Sequence, residues 1–158
     1  MKMQYSGPQL TNKSINSFEE QFAIRLPEDY IKFLLETNGG MPEADWEFNF
    51  LEIDTLKNTS TIIQEFLVLY NEETTESDDL RKNYLITREE KSLPLNFMPI
   101  ANDPSGNMIC ICLSEENYGS VFFANHELEV TETGYLVTSI IANSFSDFVS
   151  KLSICKYE

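Results

Sequence analysis

Between Thr11 and Gly40 the apolar positions recur at helical spacing and predict two helices. In the first, Phe18 and Phe22 lie four residues apart on one face. Ser17 with Glu20 either forms a capping box or sits one turn inside a helix begun near Ser14. The second is better punctuated. Pro27 takes a first helical position, where its missing N–H costs nothing, Glu28 and Asp29 suit the positive end of the helix dipole, and Gly39 closes it. Tyr30, Phe33, Leu34 and Thr37 follow one helical face, which Ile31 and Leu35 widen until most of the helix must be buried.

After the double glycine the period changes to two. Trp46, Phe48 and Phe50 alternate with Glu47 and Asn49, which predicts the first half-buried strand. The stretch NTSTIIQEFLVLYN reads as a helix capped by Thr59, Ser60 or Thr61, with Ile62, Ile63, Phe66, Leu67 and Tyr70 on one face. Leu67 to Tyr70 would also serve as a strand. No apolar residue occurs between Asn71 and Leu80, so Asn71 to Asp79 is expected to be an exposed, mobile acidic loop. A short helix using Leu80, Tyr84 and Leu85 should follow. The runs FMPIAND, NMICICLS and SVFFANHE, separated by PSG and EENYG, spell a β-meander. ELEVTETGYLVTSI is expected to add a strand pair around Thr133-Gly134. A last helix, capped by Asn143 or Ser144, should bury Phe145, Phe148, Val149 and Leu152. No repeat or Pro/Gly linker divides the chain, so residues 1–158 are read as one domain.

Composition narrows the function. The chain has 158 residues, 42% of them apolar, and 26 Asp and Glu against 11 Lys and Arg, a formal charge of −15. Such a surface repels nucleic acid and anionic membranes and draws in basic proteins, so a cationic partner such as a nuclease toxin is admissible. A generic acidic protein kept soluble by its charge is the bland alternative. No apolar run reaches the ~18 residues of a membrane span, and MKMQYSGPQL lacks the apolar core of a signal peptide. Three cysteines, an odd number, suit a reducing compartment. A cytoplasmic protein is expected.

The stretch NDPSGNMICIC offers the most candidate chemistry. A phosphate loop needs several glycines and a following helix, whereas this one has Gly106 alone and runs into a strand. Cys110 and Cys112 share one strand face with no second CxxC or His pair, so no metal or other cofactor is expected. A nucleophilic cysteine would need the single histidine, His126, as its base, and no spacing rule links them. A β-turn at Asp103-Pro104-Ser105-Gly106, with both cysteines as small core residues and His126 as a strand-end residue, accounts for every position.

The order of LPEDYIKFLLETNGG, FMPIANDPSGNMICICLS, GSVFFANHE and SFSDFVSKL resembles the motif series of the SUKH superfamily, which includes the Smi/Knr cell-wall regulators of fungi. The likeness runs from about Phe18 to Leu152, and the segment between Trp46 and Leu93 matches no motif of the series. The resemblance implies an α+β domain with a central, mostly antiparallel sheet flanked by helices. It also implies one of two binding roles without enzymatic activity. One is an immunity protein that neutralises a polymorphic or contact-dependent toxin by occlusion. The other is a cytoplasmic regulatory interaction module.

For the first role the candidate partner contacts are Glu43, Asp45, Trp46 and Glu47, and the loop residues Glu72, Glu73, Glu76, Asp78 and Asp79. Trp46 serves as an aromatic anchor if exposed, although its alternation with Phe48 and Phe50 favours the core.

Overall fold

In the computed structural model, which describes residues 1–157, the first helix α1 (Asn12–Phe22) starts at Thr11. The Thr11 hydroxyl accepts the Ser14 N–H at 3.2 Å, while Ser14 Oγ accepts the Thr11 N–H at 3.1 Å. Ser17 lies inside the helix, not at its cap. Helix α2 (Glu28–Glu36) begins just after Pro27 and buries Tyr30 and Leu34. Ser144, one of the two expected caps, opens α4 (Phe145–Ser150), its hydroxyl accepting the Asp147 N–H at 3.0 Å.

Two short strands, β1 (Met3–Gln4) and β2 (Met41–Pro42), pair with each other. Strand β3 (Trp46–Glu52) is the centre of a second antiparallel sheet, with β4 (Lys57–Ile62) on one side and β10 (Ser153–Ile154) on the other. The third sheet is an antiparallel run in chain order: β5 (Glu65–Phe66), β6 (Phe97–Asn102), β7 (Met108–Cys112), β8 (Val121–Asn125) and β9 (Val137–Ala142). Helix α3 (Leu80–Glu90) is inserted between β5 and β6. The architecture is α+β, as expected.

Three expectations need correction. The segment after Asn58 is not a helix. The Leu56 N–H donates to the Glu52 carbonyl at 2.7 Å and closes a turn over 53–56, and β4 returns along β3 from Glu52↔Lys57 to Glu47↔Ile62. Thr59, Thr61 and Ile62 are β-branched and suit that pleated pairing. The helical face inferred for Ile62 to Tyr70 is instead a chain buried on all sides, with Ile63, Phe66, Leu67, Val68 and Leu69 all inaccessible. The strand alternative for Leu67 to Tyr70 is not met either: the strand here is β5, and within 67–70 only Val68 makes a bridge, with Asp79. The second correction concerns Thr133-Gly134. A closed turn forms there, with the Gly134 N–H on Thr131 and the Thr131 N–H on Tyr135, but the strand after it pairs with β8 and not with the preceding residues. The third, in the acidic loop, belongs with the candidate surface below.

The core lies on one face of the five-stranded sheet, under α1, α2, α4 and β3. Met98, Ile100, Ile109, Ile111, Val121 and Phe123 supply the sheet side. Aromatic rings bind the layers: Phe33 lies 5.0 Å from both Phe66 and Phe145, and Phe123 lies 4.1 Å from Phe50 and 5.8 Å from Phe48. Each such pair adds roughly 0.5–1.5 kcal/mol beyond its area burial.

The end of α2 is joined to this core by Asn38. Its amide nitrogen donates to the carbonyls of Pro8 (2.9 Å) and Leu69 (2.8 Å), and its oxygen accepts the Leu69 N–H at 2.9 Å. Gly39 follows at φ +65, where a Cβ would sit 2.5 Å from the Leu67 carbonyl oxygen. Gly39→Ala is therefore expected to cost about 3 kcal/mol in a urea titration. Gly134→Ala, at φ +85 with open space around it, should lose only the backbone part, about 1 kcal/mol. Equal losses would mean that the junction is not sterically closed.

Asp147 offers a pH test of α4. The Asn143 N–H, and after it Lys151 at 3.1 Å, holds its carboxyl below the usual 3.8. A lowered acid stabilises the fold above its unfolded pKa and loses that contribution as pH falls through the folded value. A carboxyl NMR titration should show this low midpoint, and Lys151→Ala should recover only the smaller part of the shift.

Candidate interaction surface

The first set of expected contacts lies where the chain ends meet β3. Glu43 is exposed, its N–H donating to the Lys2 carbonyl at 2.9 Å. Asp45 is partly buried and tied to the C-terminal segment: its carbonyl accepts the Cys155 N–H at 2.8 Å and its carboxylate accepts the Tyr157 hydroxyl. That hydrogen bond is the main reason the Tyr157 phenol is pushed up to about 12. Trp46 sits opposite Ile154 and packs against the core, so it is no free anchor. Glu47 is partly buried between Ser153 and Ile62 on the flanking strands.

The second set, from Asn71 to Asp79, is not the loose loop expected. Glu72, Glu73 and Glu76 are exposed, but Asp79 is completely buried. One Asp79 oxygen accepts the Thr74 N–H and hydroxyl, both at 2.9 Å, and the other caps α3 by accepting the Lys82 N–H at 3.1 Å. Asp78 accepts the Tyr70 hydroxyl at 2.8 Å, and its carbonyl accepts the Val68 N–H at 2.7 Å. Burial first, and then Asp78, raises the Tyr70 phenol above its ordinary range. Asp79 thus builds the loop from inside, its buried carboxylate tolerated because its oxygens are hydrogen-bonded, while Asp78 stays partly exposed beside it. The two sets are held by different parts of the fold, and among the described residues no hydrogen bond or ion pair links them.

The Asp103 turn forms as expected. Asp103 is buried and accepts the N–H groups of Ser105 (3.0 Å) and Asn107 (2.8 Å), the Asn107 amide (3.0 Å) and the Thr61 hydroxyl (3.0 Å). Those bonds saturate its carboxylate, and Gly106 takes φ +86 to close the turn. His126 is engaged by the Ser105 carbonyl and, through its backbone, by Asn107. Cys110 is buried beside Leu93 and Ala124, and burial drives its thiol well above the ordinary range, which suppresses the thiolate a nucleophile needs. Among the described residues no three His, Cys, Asp or Glu side chains are grouped to hold a metal ion.

A model of the SMI1 / KNR4 family (SUKH-1) matches residues 9–151. The chain belongs to this family. Within the SUKH-1 match lie α1 to α4 and β3 to β9, so the shared part includes the Asn38–Leu69 side of the junction and the Asp103 turn. A relative in Bacillus subtilis (strain 168), the SPbeta prophage-derived uncharacterized protein YokK, is 28% identical over 154 residues, covering 90% of this chain and 74% of its own. No helix among the described residues is long and apolar enough to cross a membrane.

Sequence reading passed over the tip of the β3–β4 hairpin, where Leu51, Ile53 and Leu56 are exposed and Leu56 takes a left-handed φ of 56. The available signal was Asp54-Thr55 between two alternating runs. For the acidic loop, Asp79→Ala should cost about 2–4 kcal/mol in a urea titration, as a buried cap and loop tie is lost. Glu76→Gln should stay within about 0.5 kcal/mol. Similar small effects for both would restore the loose-loop picture.

Proposed function

We propose that this SUKH-1 protein is an immunity protein. It binds a cognate polymorphic or contact-dependent toxin in the cytoplasm of the producing cell and blocks it by occlusion, with no catalytic step of its own. Family membership supports a protein-binding role, and the prophage origin in its relative's name agrees with the finer reading. The observation that carries that reading is charge: a formal −15 with Glu43, Glu72, Glu73 and Glu76 all exposed. These carboxylates suit a basic partner, above all a nuclease whose substrate groove is lined with cations. They attract it at long range and replace the phosphates it would otherwise hold.

The test is a pull-down of the tagged protein from its native cytoplasm at low salt and again at about 0.5 M, where the screening length is only a few ångströms. A basic secreted toxin retained at low salt, weakened by salt, and silenced on addition of the purified protein is the expected result. Retention of a cell-wall or housekeeping factor with no toxin would overturn immunity and assign the protein to the regulatory branch.

A further inference from the structure

The five-stranded sheet has a reverse face that the core does not use. Residues paired directly across antiparallel strands project to the same side. Ile109, Phe123 and Ser139 therefore form a row on the core side, and Pro99, Cys110, Phe122 and Ile140 form a row on the reverse. Leu93 covers Cys110 and Ala124, with Leu136 packed alongside. That cover gives out toward β9. Phe122 is only partly buried, stacked on Phe97 at a centroid distance of 4.7 Å, and Ile140 beside it is 51% exposed.

The β7–β8 and β8–β9 connections beside this patch carry carboxylates and no Lys or Arg, while Lys151 at the end of α4 donates to the Ile141 carbonyl at 3.4 Å and is itself paired with Asp147. From Ser92 to Ser150 the chain has no Lys or Arg. Glu115 and Glu116 lie exposed in the β7–β8 connection, and Glu127, Glu129 and Glu132 in the β8–β9 connection. Successive connections of an antiparallel meander lie at opposite ends of the strand between them, so carboxylates stand at both ends of the apolar strip. Such a surface repels a second copy of this chain, nucleic acid and anionic lipid alike. Its complement is a protein segment carrying both apolar and cationic side chains.

We propose that the reverse face of the sheet, centred on Phe97, Phe122 and Ile140, is the docking surface for a cationic amphipathic segment of a partner protein. Its apolar side chains cover the strip, and its Lys and Arg meet the carboxylates of the two connections. The proposal rests on the basic-partner reading above and gives that partner its contact face.

The probe is a synthetic peptide of alternating Leu and Lys, added to the full-length protein labelled with nitrogen-15. Amide shifts are expected to centre on Phe97, Phe122 and Ile140. Ile140→Asp separates docking from bulk charge, because attraction alone would strengthen with the added carboxylate, whereas docking on the apolar strip should weaken about tenfold. Ile140→Ser should weaken binding as well, and with Ile140 half exposed both variants are expected to keep the parent's thermal melt. Unchanged or tighter binding by Ile140→Asp, or shifts centred on Glu43 or on Glu72 to Glu76, overturns the proposal. So do concentration-dependent shifts of the three amides without peptide, which would give the face to self-association. With a toxin in hand, an Ile140→Asp protein that still neutralises it in full sinks this face and leaves immunity standing. Peptide docked here with no toxin captured does the reverse.

Discussion

The junction at Asn38 is the constraint on which the rest of the fold depends. Its amide satisfies three backbone groups from two distant segments: the Pro8 carbonyl, and both the N–H and the carbonyl of Leu69. Its own carbonyl accepts the Gly7 N–H at 2.8 Å. The two Leu69 groups are buried, and each left unpaired would cost on the order of 1–3 kcal/mol. Gly40 continues the lock by exchanging backbone hydrogen bonds with Phe66, the residue on which Phe33 of α2 packs. The N-terminal segment, the end of α2 and the buried segment before the acidic loop are therefore tied to one another. That corner fixes where Asp79 caps α3 and where the sheet begins.

Elements with local signals were legible in the sequence. Pro27, Glu28 and Asp29 mark α2 because an N-terminus is a local electrostatic and steric problem, and Ser144 marks α4 for the same reason. The meander was legible because its runs are short and its turns carry Pro104, Gly106 and Gly119. The stretch from Ile62 to Tyr70 was not, because a segment buried on all sides has no solvent face to impose a period, and its apolar residues fit a helix as well as a strand. The burial of Asp79 and the bonding of Asp78 were hidden for a related cause. Composition counts a carboxylate as surface, while its role depends on whether Tyr70, Thr74 and Lys82 converge on it, which pairing of Val68 with Asp79 decides. The reverse face of the sheet was likewise hidden, since exposure of Phe122 and Ile140 follows from register and from where Leu93 folds back.

The sparse cations explain how the acidic field survives folding. Arg81 lies over the Phe18 ring and donates to the Tyr70 carbonyl, and Arg88 lies over Phe22 and Tyr84. Both are used to seal α1 against α3. Lys151 is spent on Asp147 in the one salt bridge among the described residues. Cations so placed neutralise little of the outer surface, and the meander has none to place.

A surface of this kind divides the work of binding between two forces. Carboxylates spread over the molecule, including Glu43 and Glu72 to Glu76, raise the encounter rate with a basic partner, and salt weakens that contribution. They hold little by themselves, since exposed ion pairs contribute only ~0–1 kcal/mol each. An apolar strip contributes mainly to the dissociation rate, because water must be readmitted before the partner leaves. Charge alone would leave the protein attracted to every basic surface in the cell. The strip beside it supplies what charge lacks, a contact whose strength depends on shape, and hence a means to distinguish one cationic partner from the rest.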